Sequence, residues 1–113
     1  MLVAFSVAPS GSSDLSRDNP DGSVHDAVAA AVAIVRESGL PNSTDSMFTT
    51  IEGEWDEVMA VIKNATEAVG RYGSRVSLVL KADIRPGRTG ELTGKVQRLE
   101  AALADQQQFE GHS

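Results

Sequence analysis

The sequence predicts an α+β fold in which one four-stranded antiparallel sheet carries helices on one face. Stretches that alternate larger and smaller residues, the period of a strand, are separated by stretches whose apolar residues recur every three or four positions, the period of a helix. In chain order they read β-α-β-β-α-β-α, and two β-α-β halves joined by a hairpin form one antiparallel sheet. The 113 residues fit a single domain.

The composition excludes several classes of protein. The chain has no cysteine, which excludes disulfides, zinc–thiolate sites and thiol nucleophiles. Its formal net charge of −6 and its scattered basic residues are unlike the basic surface of a nucleic-acid-binding protein. The longest apolar run is far too short to span a membrane, and the first residues do not resemble a secretory signal. We therefore expect a cytoplasmic protein without nucleic-acid or membrane partners.

The first strand is predicted over residues 2–8, where Val3, Phe5 and Val7 alternate with smaller residues. Residues 9–23 are rich in Pro, Ser, Gly, Asp and Asn, which predicts a long loop. Such a loop is either a tolerated surface insertion or a mobile flap, and the sequence leaves both readings open.

A helix follows, with apolar residues at helical spacing. Ser23 is predicted to cap its start, and Gly39 and Pro41 to end it. Residues 42–46 are polar and predict a short edge strand, where polar side chains discourage aggregation. Residues 47–52 form the next predicted strand.

The second helix is predicted to begin near Glu54. Its apolar stripe consists of Trp55, Val58, Met59, Ile62, Ala65 and Val69. Because Trp55 shares this stripe, we expect it to anchor the core rather than to stack on a ligand.

Residues 75–84 alternate most clearly and predict the fourth strand. A third helix follows, capped by Thr89 or Thr93 and carrying a stripe of leucines and valine. We expect this stripe to pack at the sheet edge or against a partner subunit. Residues 105–113 are predicted to be a flexible tail, so that the single domain covers residues 1–104.

This order of elements is the ferredoxin-like βαββαβ sandwich with an extra C-terminal helix. Its first and third strands are central, and the two main helices cover one face only. The helices are expected to cover Val3, Phe5, Val7, Val76, Leu78 and Leu80. The open face is expected to carry Ala4, Ser6, Ala8, Ser77, Val79, Lys81 and Asp83.

The strand over residues 47–52 has two alternative phases. Packing Ile51 inward places Phe48, Thr50 and Glu52 on the open face, and this phase is favoured. The opposite phase would place Met47, Thr49 and Ile51 there. In both, the open face mixes small, polar and apolar side chains, which suits sheet-on-sheet association. We therefore expect a homo-oligomer, a dimer or a tetramer.

No set of catalytic residues can be assembled from the sequence. His25 lies at a helix start and His112 in the tail, and no spacing resembles a metal site or a phosphate loop. Four carboxylates crowd residues 52–57, but the start of a helix favours acidic residues whether or not they have a function. We predict a non-enzyme without catalytic residues, metal or cofactor.

Several short motifs in this chain are similar to those of one protein family. The most specific is Thr49-Thr50-Ile51-Glu52-Gly53-Glu54-Trp55-Asp56-Glu57-Val58. The others are Phe5-Ser6-Val7 with Pro9, Glu37-Ser38-Gly39-Leu40, Arg75-Val76-Ser77, Lys81-Ala82-Asp83-Ile84-Arg85 and Gly94-Lys95-Val96. Through these motifs, most of residues 2–103 resembles the small ferredoxin-like thiamine-binding proteins. Phe48 stands where that family usually has glycine, and the first loop is longer.

The resemblance implies non-catalytic binding of thiamine, or of its hydroxymethylpyrimidine part, by an oligomer. Hydroxyl and carboxylate groups can satisfy the donors and acceptors along one edge of an aminopyrimidine. An aromatic face and a carboxylate can stabilise the thiazolium cation, which Lys81 would oppose unless it pairs with an acid. The residues implied in the site are Ser6, Phe48, Thr49, Thr50, Glu52, Lys81 and Asp83.

Two other functions stay open. An oligomeric regulatory or interaction module would use its open face for self-assembly alone and would bind no small molecule. A small enzyme with this fold would need a histidine or a pair of carboxylates in a buried pocket, with strongly shifted pKa values.

Overall fold

The computed structural model describes residues 1–13, 20–86 and 90–111. Its elements are β1 (Leu2–Ser10), α1 (Pro20–Glu37), β2 (Asn42–Thr44), β3 (Thr49–Glu52), α2 (Trp55–Val69), a 3-10 turn (Gly70–Tyr72), β4 (Arg75–Asp83) and α3 (Glu91–Gly111). The sheet has the strand order β2-β3-β1-β4, and neighbouring strands are antiparallel. The ferredoxin-like prediction is confirmed, with the first and third strands in the centre.

The central strand β1 is paired unequally on its two sides. It pairs with β4 along its whole length, from Leu2 opposite Asp83 to Ser10 opposite Arg75. It pairs with β3 only from Leu2 to Phe5. In the part of the chain that the structure describes, the second half of β1 therefore has a neighbouring strand on one side only.

The core lies between the sheet and the inner faces of α1 and α2. Val3 and Phe5 of β1 and Ile51 of β3 are buried there. The helices contribute Ala27, Ala31, Val35, Val58, Ile62, Ala65 and Val69. Burying one aliphatic side chain of this size contributes about 1.5–3 kcal/mol, so this layer holds the helices on the sheet.

The register confirms the two predicted faces of the sheet. Residues directly opposite each other share a face, and Phe5 lies opposite Leu80 on the helix side. Ala4 lies opposite Lys81 on the open side. Ile51 lies opposite Val3 and is buried, which confirms the favoured phase of β3 and places Thr50 and Glu52 on the open side.

The predicted burial of two leucines of β4 is wrong in degree. Leu78 and Leu80 lie on the helix side, but they remain 39% and 38% exposed. The reason is that α1 and α2 pack mainly on β1, while the contact of α2 with β4 is small. The apolar side chains of the edge strand β4 therefore remain partly exposed.

The prediction for Trp55 is wrong. Its side chain is 55% exposed, and the buried stripe of α2 begins one turn later, at Val58. Trp55 is the first residue of the helix and precedes the part that lies on the sheet. The helix start itself is stabilised by a capping box, in which the Glu54 N–H donates to Glu57 Oε1 at 2.7 Å.

Several predicted boundaries change, most of all those of the first and third helices. The helix α1 begins at Pro20, before the proposed cap Ser23, so part of the predicted loop is helical, and residues 14–19 of that loop lie outside the described residues. The helix α3 begins at Glu91, so Thr93 lies within its first turn, while Thr89 is outside the described residues. The helix runs to Gly111, so most of the predicted tail is helical.

Candidate functional site

From Val7 onward, the backbone of β1 is not paired with β3. The Met1 amino group donates to Gly53 O at 3.0 Å, and Gly53 N–H donates to Met1 O at 3.1 Å. Hydrogen-bonded pairs of this kind recur at every second residue of an antiparallel ladder. The pairs two and four residues further along β1 still lie opposite β3. Six residues along is Val7, which has no partner in β3.

The β2–β3 hairpin explains why the ladder stops. Asp45 N–H donates to Phe48 O at 3.0 Å, which closes the hairpin with Met47 at its tip. Met47 stands where a partner for Val7 would continue the register, but no backbone bond joins them. Among the described residues, none bonds to Val7 from this side. Pro9 follows in the same series, and proline tolerates a free edge because it has no N–H.

A cavity of about 220 Å³ lies against this free edge. We call it the hairpin cavity. It is lined by Phe5, Ser6, Val7 and Ala8 of β1, by Val28, Ala31 and Val32 of α1, and by Thr44, Asp45, Ser46, Met47, Phe48 and Thr49 of the hairpin. It forms because the sheet loses one strand while α1 continues above the opening.

The hydroxyl groups of the cavity come mainly from the hairpin. Thr49 is buried on the helix side of β3, and its Oγ1 lies 3.2 Å from the Oγ1 of Thr44. Ser6 belongs to the open face by register, and it lines the cavity because the cavity opens at the edge of β1. The cavity thus has hydroxyl groups that can both donate and accept.

Asp45 orders the tip of the hairpin. Its Oδ1 accepts from the Met47 N–H and from the Phe48 N–H, each at 2.8 Å. These two donors, Phe48 first, hold the pKa of the Asp45 carboxyl below its usual value. Asp45 is therefore a negative charge at the mouth of the cavity at neutral pH.

Two apolar side chains at the mouth are poorly covered. Met47 is 71% exposed and Phe48 38% exposed, although both line the cavity. Val28 of α1 faces them and is also exposed. A flat apolar ligand would cover this surface, since aromatic rings pack on such side chains.

The comparisons with known proteins agree on one family. The family model described as thiamine-binding protein matches residues 3–100. The chain belongs to the thiamine-binding protein family. A relative from Mycobacterium bovis, UPF0045 protein Mb1933, is 49% identical over 104 residues, which cover 91% of this chain and 94% of that protein. UPF0045 protein ECM15 of Eremothecium gossypii is 32% identical over 105 residues, 92% of this chain and 93% of that protein.

Solved structures show the same fold. A protein of Methanocaldococcus jannascii with no stated function has a TM-score of 0.72 and 25% identity, over 88% of this chain and 94% of that one. A protein of Thermotoga maritima, whose description suggests thiamine biosynthesis or salvage, has a TM-score of 0.67 and 25% identity, over 87% and 96%. The resemblance inferred from the short motifs is thus confirmed.

The seven site residues suggested by that thiamine-binding resemblance do not share one cavity. Ser6, Phe48 and Thr49 line the hairpin cavity. Thr50, Lys81 and Asp83 line a hollow of about 460 Å³ on the open face of the sheet, together with Leu2, Ala4 and Ala82. The seventh, Glu52, lies at a third place.

Glu52 is only 7% exposed and lies at the end of β3 remote from the hairpin. Its Oε2 accepts from the Glu91 N–H at 2.7 Å, at the first residue of α3. A carboxylate suits the partial positive charge of a helix start. Glu91 in turn bonds to Arg98 Nη2 at 2.9 Å. In this structure Glu52 therefore anchors α3.

Sequence reasoning did not identify the Val7 peptide or the Asp45 carboxylate. Pro9 within a strand was a signal for a free edge. The Asp45-Ser46 pair before an apolar residue was a signal for a turn, because Asp often accepts backbone N–H groups there.

Within the described ranges, no group of three or more acidic or histidine side chains is arranged to hold a metal ion. Of the helices in the part of the chain that the structure describes, none is long and apolar enough to cross a membrane.

Proposed function

We propose that this protein binds thiamine or its hydroxymethylpyrimidine part in the hairpin cavity, without transforming it, as a cytoplasmic homo-oligomer. The observation that carries the proposal is that a member of the thiamine-binding family has Ser6, Phe48 and Thr49 in one cavity. That cavity also contains the exposed aromatic ring of Phe48 beside the buried hydroxyl of Thr49, a combination that suits a flat, polar-edged ring.

The chemistry of the cavity matches the two halves of thiamine. The enclosed part offers hydroxyls and apolar walls, which suit the methylpyrimidine ring. The mouth offers Phe48 and the negative charge of Asp45, which suit the thiazolium cation. A cation held over an aromatic face gains about 0.5–1 kcal/mol at an exposed site. Binding of this kind requires no acid–base group.

The apolar surface that remains exposed supports assembly. Val79 on the open face and the α3 residues Val96, Leu99 and Leu103 are about half exposed or more. Exposed apolar side chains of this size are common at subunit interfaces. We propose that it is covered in a dimer or tetramer, in which the hollow around Thr50, Lys81 and Asp83 would be enclosed.

Calorimetry tests the binding proposal. Protein that has been unfolded and refolded, so that it carries no ligand from purification, is titrated with thiamine and then with hydroxymethylpyrimidine. Saturable binding is expected. No heat from refolded, reassembled protein would instead support the alternative, a regulatory or interaction module whose open face serves self-assembly alone.

Two matched variants locate the site. Thr49→Val removes a hydroxyl inside the hairpin cavity while keeping the shape of the side chain. The lost hydrogen bond should weaken binding about 3- to 10-fold. Thr50→Val makes the same change one residue away, on the open face, and should leave the affinity unchanged. The reverse pattern would move the ligand to the open face.

A further inference from the structure

We infer that the backbone of Val7 recognises the ligand, a 4-aminopyrimidine. The Val7 N–H donates to a ring nitrogen, and the Val7 C=O accepts a hydrogen bond from the neighbouring amino group. This inference rests on the proposed function and specifies its recognition chemistry. It assigns specificity to the main chain, whereas the family motifs draw attention to side chains.

The first support is the phase of the ladder. The reciprocal bonds between Met1 and Gly53 set which β1 residues direct their peptide groups toward β3. Val7 belongs to that series and is the first member beyond the end of β3. It also lines the hairpin cavity. Its N–H and C=O therefore point to the side on which the cavity lies.

The second support is Pro9, the next residue of the same series. A proline in a strand is tolerated where its missing N–H costs no ladder bond. Its position agrees with a free edge along this half of β1, and β1 is nevertheless paired with β4 through Ser10. Within the described strand β1, the edge beyond β3 thus offers one donor, the Val7 N–H, and two acceptors, the C=O groups of Val7 and Pro9.

The pattern of groups selects a ligand class. The N–H and C=O of one strand residue lie side by side and bind a ligand edge that presents an acceptor beside a donor. In a 4-aminopyrimidine the ring nitrogen is such an acceptor and the adjacent amino group is the donor. An analogue with an oxo group in place of the amino group presents a donor where the ring nitrogen accepted and an acceptor where the amino group donated. Bound in the same orientation, its ring N–H would face the Val7 N–H and its oxo oxygen would face the Val7 C=O.

The cavity suits a ligand with a single ring better than it suits an added β-strand. It is closed on one side by the hairpin and covered by Val28 and Val32 of α1, and its volume is about 220 Å³. A ring bonded to Val7 would lie in the plane of the sheet, with α1 on one side and Phe48 beside it. A second copy of the chain adding a strand would need a longer open edge.

The first experiment compares ligands on the whole protein. The probes are hydroxymethylpyrimidine, its oxo analogue and its analogue with carbon in place of the ring nitrogen that accepts from Val7. We expect each change to weaken binding at least about tenfold, because a buried donor or acceptor is left unpaired. Equal affinity for hydroxymethylpyrimidine and the oxo analogue would overturn the inference while leaving the proposed function intact.

The second experiment observes the peptide itself. In amide NMR spectra, saturating hydroxymethylpyrimidine should shift the Val7 N–H downfield and slow its hydrogen exchange. The Ala4 N–H is the matched control, because it is directed to β4, lies outside the hairpin cavity and should change little. Binding without a Val7 shift overturns the inference. Protection of Val7 that depends on protein concentration and not on ligand also overturns it, in favour of strand pairing between copies. Absence of any binding overturns the proposed function as well.

Discussion

Glu52 shows how a polar side chain in the most specific family motif serves the structure. It is buried, and its carboxylate accepts the first N–H of α3. Its position, at the end of β3 remote from the hairpin, separates it from the hairpin cavity.

Glu52→Ala should therefore lower the free energy of unfolding by about 1–3 kcal/mol, because the Glu91 N–H loses its acceptor. The affinity for thiamine should stay within about twofold of the original value. Urea unfolding and calorimetry measure the two effects. Glu67→Ala, at an exposed position of α2, serves as the control. A folded Glu52→Ala protein that no longer binds would return Glu52 to the ligand site.

Asp45 leads to a prediction about pH. Its pKa is lowered in the folded protein by the N–H groups of Phe48 and Met47. A lowered pKa means that its contribution to the order of the hairpin is fully present above the pKa of the unfolded carboxyl, and is lost as the pH falls through the folded pKa. The hairpin tip should thus remain ordered in mildly acidic solution.

The measurement is a pH titration of the Met47 and Phe48 amide signals, whose midpoint should lie below the pKa of an unfolded aspartate. In Asp45→Asn the side-chain oxygen still accepts but does not titrate, so the midpoint should disappear. A midpoint at or above the unfolded value would show that these two bonds do not stabilise the carboxylate in solution.

At the scale of elements, the far end of β1 is held by a close contact with the turn before β4. A Cβ placed on Gly73 would lie 2.5 Å from Ser10 O. Because both groups are backbone, neither can move without shifting a strand. This contact helps to position the half of β1 that is paired with β4 alone and that borders the hairpin cavity.

Gly73→Ala should therefore lower the free energy of unfolding by about 1–3 kcal/mol, through the forced shift of β1. Gly70→Ala is the matched control, since its Cβ would meet only Val76 Cγ2, at 3.7 Å, with a helical backbone. That change should be neutral or slightly stabilising. Denaturant unfolding compares the two variants. Equal stabilities would contradict the contact.

In the whole molecule, most of the described side chains of α3 are exposed to solvent. Its first turn is held by Glu52, while its apolar stripe lies open, with Leu99 59% exposed. The stripe, together with Val79 on the open sheet face, is the surface proposed for assembly.

Leu99→Glu should convert the oligomer to a smaller species, because a charge in an apolar interface loses its hydration. Light scattering after size exclusion measures the mass. Ala60→Glu, at an exposed position of α2, should leave the mass unchanged. A wild-type protein that is monomeric at every concentration would contradict the assembly proposal.

The sequence by itself determined the order and type of the elements and the two faces of the sheet. Alternation in β1 and helical spacing in α2 are local patterns, and each strand or helix forms with the period that buries its apolar residues. The placement of Ile51 inward follows from the same rule. The family was also readable, because its most specific motif is contiguous.

The ends of those elements, and the contacts that their side chains make, became visible only in the folded chain. The sequence motif places Thr49, Thr50 and Glu52 together, but the pleat and the docking of α3 send them to three different environments. Among the described residues, the Val7 N–H and C=O lack a strand partner on the β3 side because β3 ends while β1 continues. Trp55 stays exposed because its helix begins before it lies on the sheet. Each of these outcomes depends on contacts between residues far apart in the chain, which no local period encodes.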